Sequence, residues 1–227
     1  RGGSKRIPRK NVRTFHGKPM IAYTIKCAQE SGCFERIIVS TEDAQIAEIA
    51  KAHGAEVPFI RPAELADDFA TTRDVIIHAI EALGTNKIVA CISSVAPLLT
   101  PASLIKACSM VNDHDAVIDC LKLETASPVQ RTFVIENSKS RMILPQYMNV
   151  RTQDLPPVYY HTGQFAIGTA KTWLNRDANL LEGTPCILDS EEAVDIDYEE
   201  DWQKASSIYD KRVFGVADKA KSEPSVE

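Results

Sequence analysis

The chain has 227 residues, 44% hydrophobic and 25% charged, with a formal net charge of −5, the composition of an ordinary globular protein of about one large domain. Residues 1–18 hold seven Lys and Arg and no acid; removing those seven from 26 leaves 19 basic against 31 acidic residues, a net of −12 for the remainder. A cationic patch on an acidic body argues against a nucleic-acid-binding face, which would be broader, and for a compact anionic ligand.

In chain order, Pro19 is placed at the first turn of a helix, "PMIAYTIKCAQES", closed by Gly32. "RIIVST" reads as a short buried strand and "EDAQIAEIAKAHG" as a helix stopped by Gly54. "EVPFI" reads as a peripheral strand interrupted by Pro58. A capped helix "TTRDVIIHAIEALG" precedes the strand "KIVACIS"; a helix capped by Thr100 precedes the strand "DAVIDCL". The alternation predicts an α/β domain over 1–210 with a mostly parallel sheet covered by helices on both faces. Between about 125 and 160 the pattern changes to apolar–polar alternation around a polar turn at Glu136–Ser140, which predicts an inserted β-arm. "GQFAIG" returns to a strand, "TAKTWLNRD" to a short helix, and "EAVDIDYEEDWQKASSIYD" to a strand followed by a helix. Residues 211–227 lack periodicity and are expected to form a mobile tail.

Ligands of such sheets sit beyond the carboxyl ends of the strands, which here carry Ser40, Thr41, Ser93 and Ser94. The opening stretch "RGGSKRIPRKN" offers Gly2 and Gly3 for close backbone approach to an anion. Ser4 adds a hydroxyl, and Lys5, Arg9 and Lys18 add charge. "HGKP" lacks the spacing of a P-loop. These residues alone leave two readings open, a phosphate site or a flexible basic terminus. In "VDIDYEED", Asp195 and Asp197 are two apart, so on a strand both carboxylates share a face. A solvated acidic strand end has that pattern too, but beside a phosphate loop the pair suits Mg2+. His53 and His78 read as structural; His161, between "YY" and "TGQF", is a candidate for the site. The six cysteines at 27, 33, 91, 108, 120 and 186 form no C-x-x-C or zinc spacing and are expected to be reduced thiols. No apolar run suggests a membrane span and no signal peptide is read, so the expectation is a cytoplasmic protein without a membrane or nucleic-acid partner.

"RGGSKRIPRKN", "GKPMIAYTI", "VSTED", "AKAHGAEVPFIRPAELADD" and "VDIDYEEDW" resemble, in order, successive blocks of the CMP-sialic acid synthetase family. "SPVQRTF" and "PQYMNVRTQDLPPVYYHTGQF" look most like its pseudaminic acid cytidylyltransferases. The resemblance implies a Rossmann-like nucleotidyltransferase fold in which the β-arm serves dimerisation, and an apolar strand ahead of Arg1 that the chain lacks. It implies CTP and a nine-carbon 2-keto acid sugar as substrates, Mg2+ as cofactor, and CMP-sugar and pyrophosphate as products. Arg1, Gly2, Gly3, Ser4 and Lys5 match the triphosphate loop, with Arg9 and Lys18 as charge partners. Asn11 matches a residue at the reacting phosphate and ribose, and Ser40, Arg61 and Asp68 match the cytidine region. Asp195 and Asp197 match the magnesium pair. Arg151, Gln153, His161 and Gln164 match the sugar side, and a homodimer would bring Arg151 to the partner's site. Val95, Ala166 and Ile167 depart from the family pattern and are expected on that sugar side. Legionaminic or sialic acid is the alternative sugar, and a catalytically silent sugar-nucleotide-binding protein is the alternative class.

Overall fold

The computed structural model describes residues 2–113, 115–124 and 127–221. A short hairpin, β1 (Thr14–Phe15) and β2 (Lys18–Pro19), leads into helix α1 (Met20–Ser31). Pro19 is the N-cap, one position ahead of that expected, and Gly32 ends the helix at φ 64°, a conformation that glycine adopts without steric cost. Helix α2 (Ala44–Ala52) starts at Asp43, whose carboxylate accepts the Ile46 N–H at 2.9 Å. Helix α3 (Thr72–Leu83) carries a complete capping box between Thr71 and Asp74. Strand β3 (Ile88–Ile92), helix α4 (Pro101–Ser109) and strand β4 (Val117–Lys122) follow, with Thr100 capping α4 as expected.

The expected arm contains α5 (Ser127–Gln130) and a hairpin of β5 (Phe133–Glu136) and β6 (Lys139–Met142). Asn137 and Ser138 turn it with φ of 52° and 60°, the left-handed pair that matches strand twist in a two-residue hairpin loop. The chain returns through β7 (Tyr159–Tyr160) to β8 (Phe165–Thr169), α6 (Ala170–Leu174), β9 (Thr184–Ile187) and α7 (Glu199–Lys221). The irregular tail expected from residue 211 is helical as far as Lys221. Arg212 pins the helix by donating to the carbonyls of Leu98 and Glu191, each at 2.7 Å.

The sheet corrects the expectation of mostly parallel pairing. β8 lies antiparallel between β3 and β4, and β7 is antiparallel to β4; β9 runs parallel to β4. The arm leaves from the carboxyl end of β4 and the chain re-enters there, so β7 and β8 must run back against their neighbours. "RIIVST" and "EVPFI" keep a single parallel bridge, Ile38 with Glu56, flanked by Val39 N–H to Glu56 O at 2.9 Å and Glu56 N–H to Ile37 O at 2.8 Å. Pro58 has no N–H with which to extend that pairing. Between this segment and β3 lies a cavity of about 740 Å³ instead of a ladder.

Helices on both faces are borne out by the period-two burial of the strands. Ala90, Ile92, Phe165 and Ile167 pack with Ala28 of α1 and Leu104 and Ala107 of α4. Val89, Cys91 and Ala166 pack on the other face with Ile80 of α3 and Trp173 of α6. Ala166 and Ile167, expected beside the sugar, are therefore core of the sheet, and Val95 is buried with Leu98 and Ile7. Among the described residues all six cysteines are free, and no helix is long and apolar enough to cross a membrane.

Candidate active site

The site grows from a small second core. Ile7 is 1% exposed and packs with Phe15, Met20, Val95, Leu98, Val194, Ile196, Trp202 and Ala205. Burying one such side chain is worth about 1.5–3 kcal/mol, so this single residue fastens the basic loop to the segment before α7. The "VDID" stretch forms no strand ladder, yet Val194 and Ile196 point into the core while Asp195 is exposed and Asp197 half-buried. The two carboxylates thus face away from the core together, as expected.

Cations of the loop converge on them. Arg6 pairs with Asp197 at 2.8 Å, and Lys10 Nζ lies 3.2 Å from the other Asp197 oxygen while donating to the Ile196 carbonyl. Lys10 was not singled out from the sequence; its place directly before Asn11 in "RKN" was the available signal. Enclosure by the fold and then the charge of Asp197 raise the pKa of Asp195. Such a carboxylate is stabilised by a bound cation. Among the described residues no group of three or more His, Cys, Asp or Glu could hold a metal. Two hard carboxylates fit Mg2+, which takes one or two protein carboxylates and completes its shell with phosphates and water.

On the opposite side of the loop, Gly2 N–H donates to Glu42 Oε1 at 2.6 Å and Lys5 pairs with Asp68. Arg61 donates to the Ser40 hydroxyl at 3.1 Å and to its carbonyl, and the Ser94 hydroxyl donates to Asn11 Oδ1 at 3.0 Å. Asn11, Ser40, Arg61, Ser93 and Ser94 line the cavity beside β3. Asn11, Ser40 and Arg61 therefore share one polar rim, while Gly2 and Lys5 are tied to Glu42 and Asp68; Arg1 lies outside the described residues.

Of the two further cations expected at the phosphates, Arg9 stays beside the loop, its guanidinium close against Gly2 and paired with Asp43. Arg9 sits at φ 55° with its guanidinium on Asp43 and Gln45. That contact, followed by the Ile46 N–H, holds the Asp43 carboxyl down to about 2. Arg9 thus serves the cap of α2. Lys18 is exposed on β2, paired in register with Phe15 at the turn of the β1–β2 hairpin.

The sugar-side residues divide. Gln164 is buried; its Nε2 donates to the Thr162 carbonyl at 2.9 Å, and its main-chain carbonyl accepts the Ser93 N–H at 2.8 Å, joining it to the rim. His161 lies three residues away, its Nδ1 at 3.0 Å from the Asp119 carbonyl. Arg151 and Gln153 are on the arm, both exposed, with Arg151 bound to Asp154 at 2.6 Å.

A cytidylyltransferase family model matches residues 1–214. A pseudaminic acid cytidylyltransferase of Campylobacter jejuni is 37% identical over 92% of this chain and 93% of its own length. A CMP-N,N'-diacetyllegionaminic acid synthase of Legionella pneumophila is 33% identical over 89% of this chain and 90% of its own. A solved CMP:2-keto-3-deoxy-manno-octonic acid synthetase complexed with CTP superposes with a TM-score of 0.69 at 14% identity, covering 93% of this chain and 96% of that one.

Proposed function

Since the chain belongs to the cytidylyltransferase family, we propose that it transfers CMP from CTP to the anomeric hydroxyl of a nine-carbon 2-keto acid sugar, with pseudaminic acid as the sugar. The hydroxyl oxygen bonds to the α-phosphorus as its proton passes to solvent, the bond from that phosphorus to the bridging oxygen breaks, and pyrophosphate leaves with the electron pair. One observation carries the reading: a glycine-containing cationic loop and the Asp195–Asp197 pair are fastened together by Ile7. Phosphoryl chemistry of this kind requires positioned charge more than covalent participation.

Gly2, Gly3, Ser4 and Lys5 receive the triphosphate, and Arg6 and Lys10 stand ready to neutralise charge where they now meet Asp197. Asn11 and Ser94 hold the reacting phosphate and ribose; Ser40, Arg61 and Asp68 frame the cytosine. Asp195 and Asp197 would hold Mg2+, which when bound supplies positive charge to the phosphates and acidifies a bound hydroxyl. Gln164 and His161 orient the sugar. The pseudaminic assignment is supported by the Campylobacter jejuni relative, and the Legionella pneumophila relative makes legionaminic acid the second reading. Dependence on CTP makes the cytoplasm the natural location.

The arm supports a homodimer. Phe133 and Ile135 are 58% and 75% exposed, and Phe133 pairs across the hairpin with Met142 on the same face. A two-stranded hairpin is marginal alone, and a second copy would cover this face by two-fold symmetry, carrying Arg151 to the partner's sugar.

Pyrophosphate release from CTP with a panel of nonulosonic acids tests the reaction. Turnover is expected with pseudaminic acid, and UTP is expected to be rejected by roughly 10⁴-fold, because a pocket built to hydrogen-bond one base leaves buried groups unpaired with another. Equal turnover with UTP would overturn the nucleotide assignment, and preference for legionaminic acid the sugar. Mixing Arg151→Ala and Asp197→Asn chains should restore roughly a quarter to half of wild-type activity if subunits exchange.

A further inference from the structure

Asp119 lies inside β4, the third of its six residues, with 0% exposure. Neither its sequence context nor the chemistry proposed above uses it. A fully buried carboxylate survives folding only if its lone pairs are occupied, and here every partner comes from the turn between β7 and β8. One oxygen accepts the Thr162 N–H at 3.1 Å and the Thr162 hydroxyl; the other accepts the Phe165 N–H at 2.9 Å. Between these donors Gly163 takes φ 69°, which a side chain would strain. The carboxylate therefore moulds the turn that carries His161 and Gln164.

Its effect on His161 is chemical as well as steric. The Nδ1 atom faces the Asp119 main-chain oxygen at 3.0 Å and the Asp119 carboxylate at 3.3 Å. Both are acceptors only, so Nδ1 must bear the hydrogen, and in the neutral ring Nε2 then keeps its lone pair. Three further donors, from Thr162 and Phe165, hold that carboxylate in place. His161 is 34% exposed in its side chain while the atoms at its Nδ1 edge belong to a residue with none, so the opposite edge, Nε2, is the one turned outward.

We propose that Asp119 is a positioning residue that fixes His161 as a hydrogen-bond acceptor toward the sugar. The turn then selects a donor on the substrate, a hydroxyl or an N-acyl N–H, and the sugar's carboxylate must be met elsewhere. Gln164 fits the same polarity. Its Nε2 donates to the carbonyls of Thr162 at 2.9 Å and Val194 at 3.5 Å, and its buried Oε1 has no partner among the described residues, so the amide too has only acceptor capacity left.

This inference rests on the sugar-side reading of residues 161–164, and its test separates the two. Long-range ¹⁵N–¹H correlation on the imidazole of His161, in the whole protein at mildly alkaline pH, should show a neutral ring protonated on Nδ1. Protonation on Nε2, or on both nitrogens, would overturn the inference and leave the sugar-side reading standing. In kinetics, Asp119→Asn should raise the KM for the sugar about tenfold, since the Thr162 donors would face an amide N–H2, with the KM for CTP within about twofold. Thr162→Val removes one of those donors and should move the sugar KM the same way by about threefold, which keeps the test open should Asp119→Asn fail to fold. If the ring is protonated on Nδ1 but neither His161→Ala nor Thr162→Val moves the sugar KM, the sugar-side reading falls and the inference with it.

Discussion

The basic loop at residues 2–13 and the arm at 133–150 invert the usual relation between composition and exposure. The loop is dense in charge, yet Ile7 is buried in a core and Arg6, Arg9, Lys10 and Arg13 all meet carboxylates. The arm is rich in apolar residues, yet Phe133, Ile135, Ile143 and Met148 are more than half exposed. In the loop, one apolar anchor and compensating charges complete the structure within the chain. In the arm, these four side chains are left largely uncovered. What distinguishes the regions is whether a partner for each group lies in the same fold.

The largest expected effect breaks the loop's charge arrangement. Asp197→Asn should lower kcat by about a hundredfold or more while the melting temperature stays near wild type, read by steady-state kinetics beside calorimetry. Near-normal turnover in Mg2+ would remove the metal role from Asp197.

Ile7→Ala attacks the anchor instead of the charge. A buried Ile→Ala change costs about 2–5 kcal/mol, which calorimetry should register as a fall in Tm of about 2–4 °C per kcal/mol for a chain of this size. The KM for CTP should rise with it. A KM that stays constant while Tm falls would mean that the loop holds its shape without Ile7.

A third test concerns the cavity between residues 36–41 and β3. Its walls run alongside each other: Lys87 pairs with Glu35 at one end, and Ser40 and Ser94 flank the rim at the other. CTP bound at that rim should therefore raise Tm, by about 5 °C or more at a hundredfold excess over its Kd. An unchanged Tm would leave the cavity without a role in nucleotide binding.

For the arm, Ile135→Asp should leave Tm almost unmoved, because the side chain is 75% exposed, and shift the sedimentation coefficient to that of a monomer. A monomeric wild type would sever the arm from the proposed trans role of Arg151. The smallest effect lies at Arg9. The Asp43 carboxyl is held down to about 2, chiefly by Arg9, so its contribution to stability is present above the ordinary range near 3.9 and is lost as pH falls through about 2. In Arg9→Gln the ¹³C titration of Asp43 should move up toward that ordinary value. No movement would mean that the cap, and not the guanidinium, sets it.

Local interactions were legible without the fold. Thr71 with Asp74, Thr100 with Pro101, and Gly32 and Gly84 mark helix ends because caps are built from residues within one turn of each other. The alternation of Val194, Asp195, Ile196 and Asp197 likewise needs only a period of two, so the outward-facing carboxylate pair was readable even though no strand formed there. Pairings between distant segments were not. That Arg9 would meet Asp43 and Lys10 meet Asp197 depends on bringing together residues 34 and 187 positions apart, and neighbouring cations in "RKN" carry no mark of which carboxylate each will reach. The direction of β8 followed from the arm's return to the end of β4, a matter of topology and not of propensity. Asp119 is the sharpest case. Within "AVIDCL" it reads as one polar residue in a buried strand, and only the turn folded over it, with its three donors, makes the carboxylate a partner of His161.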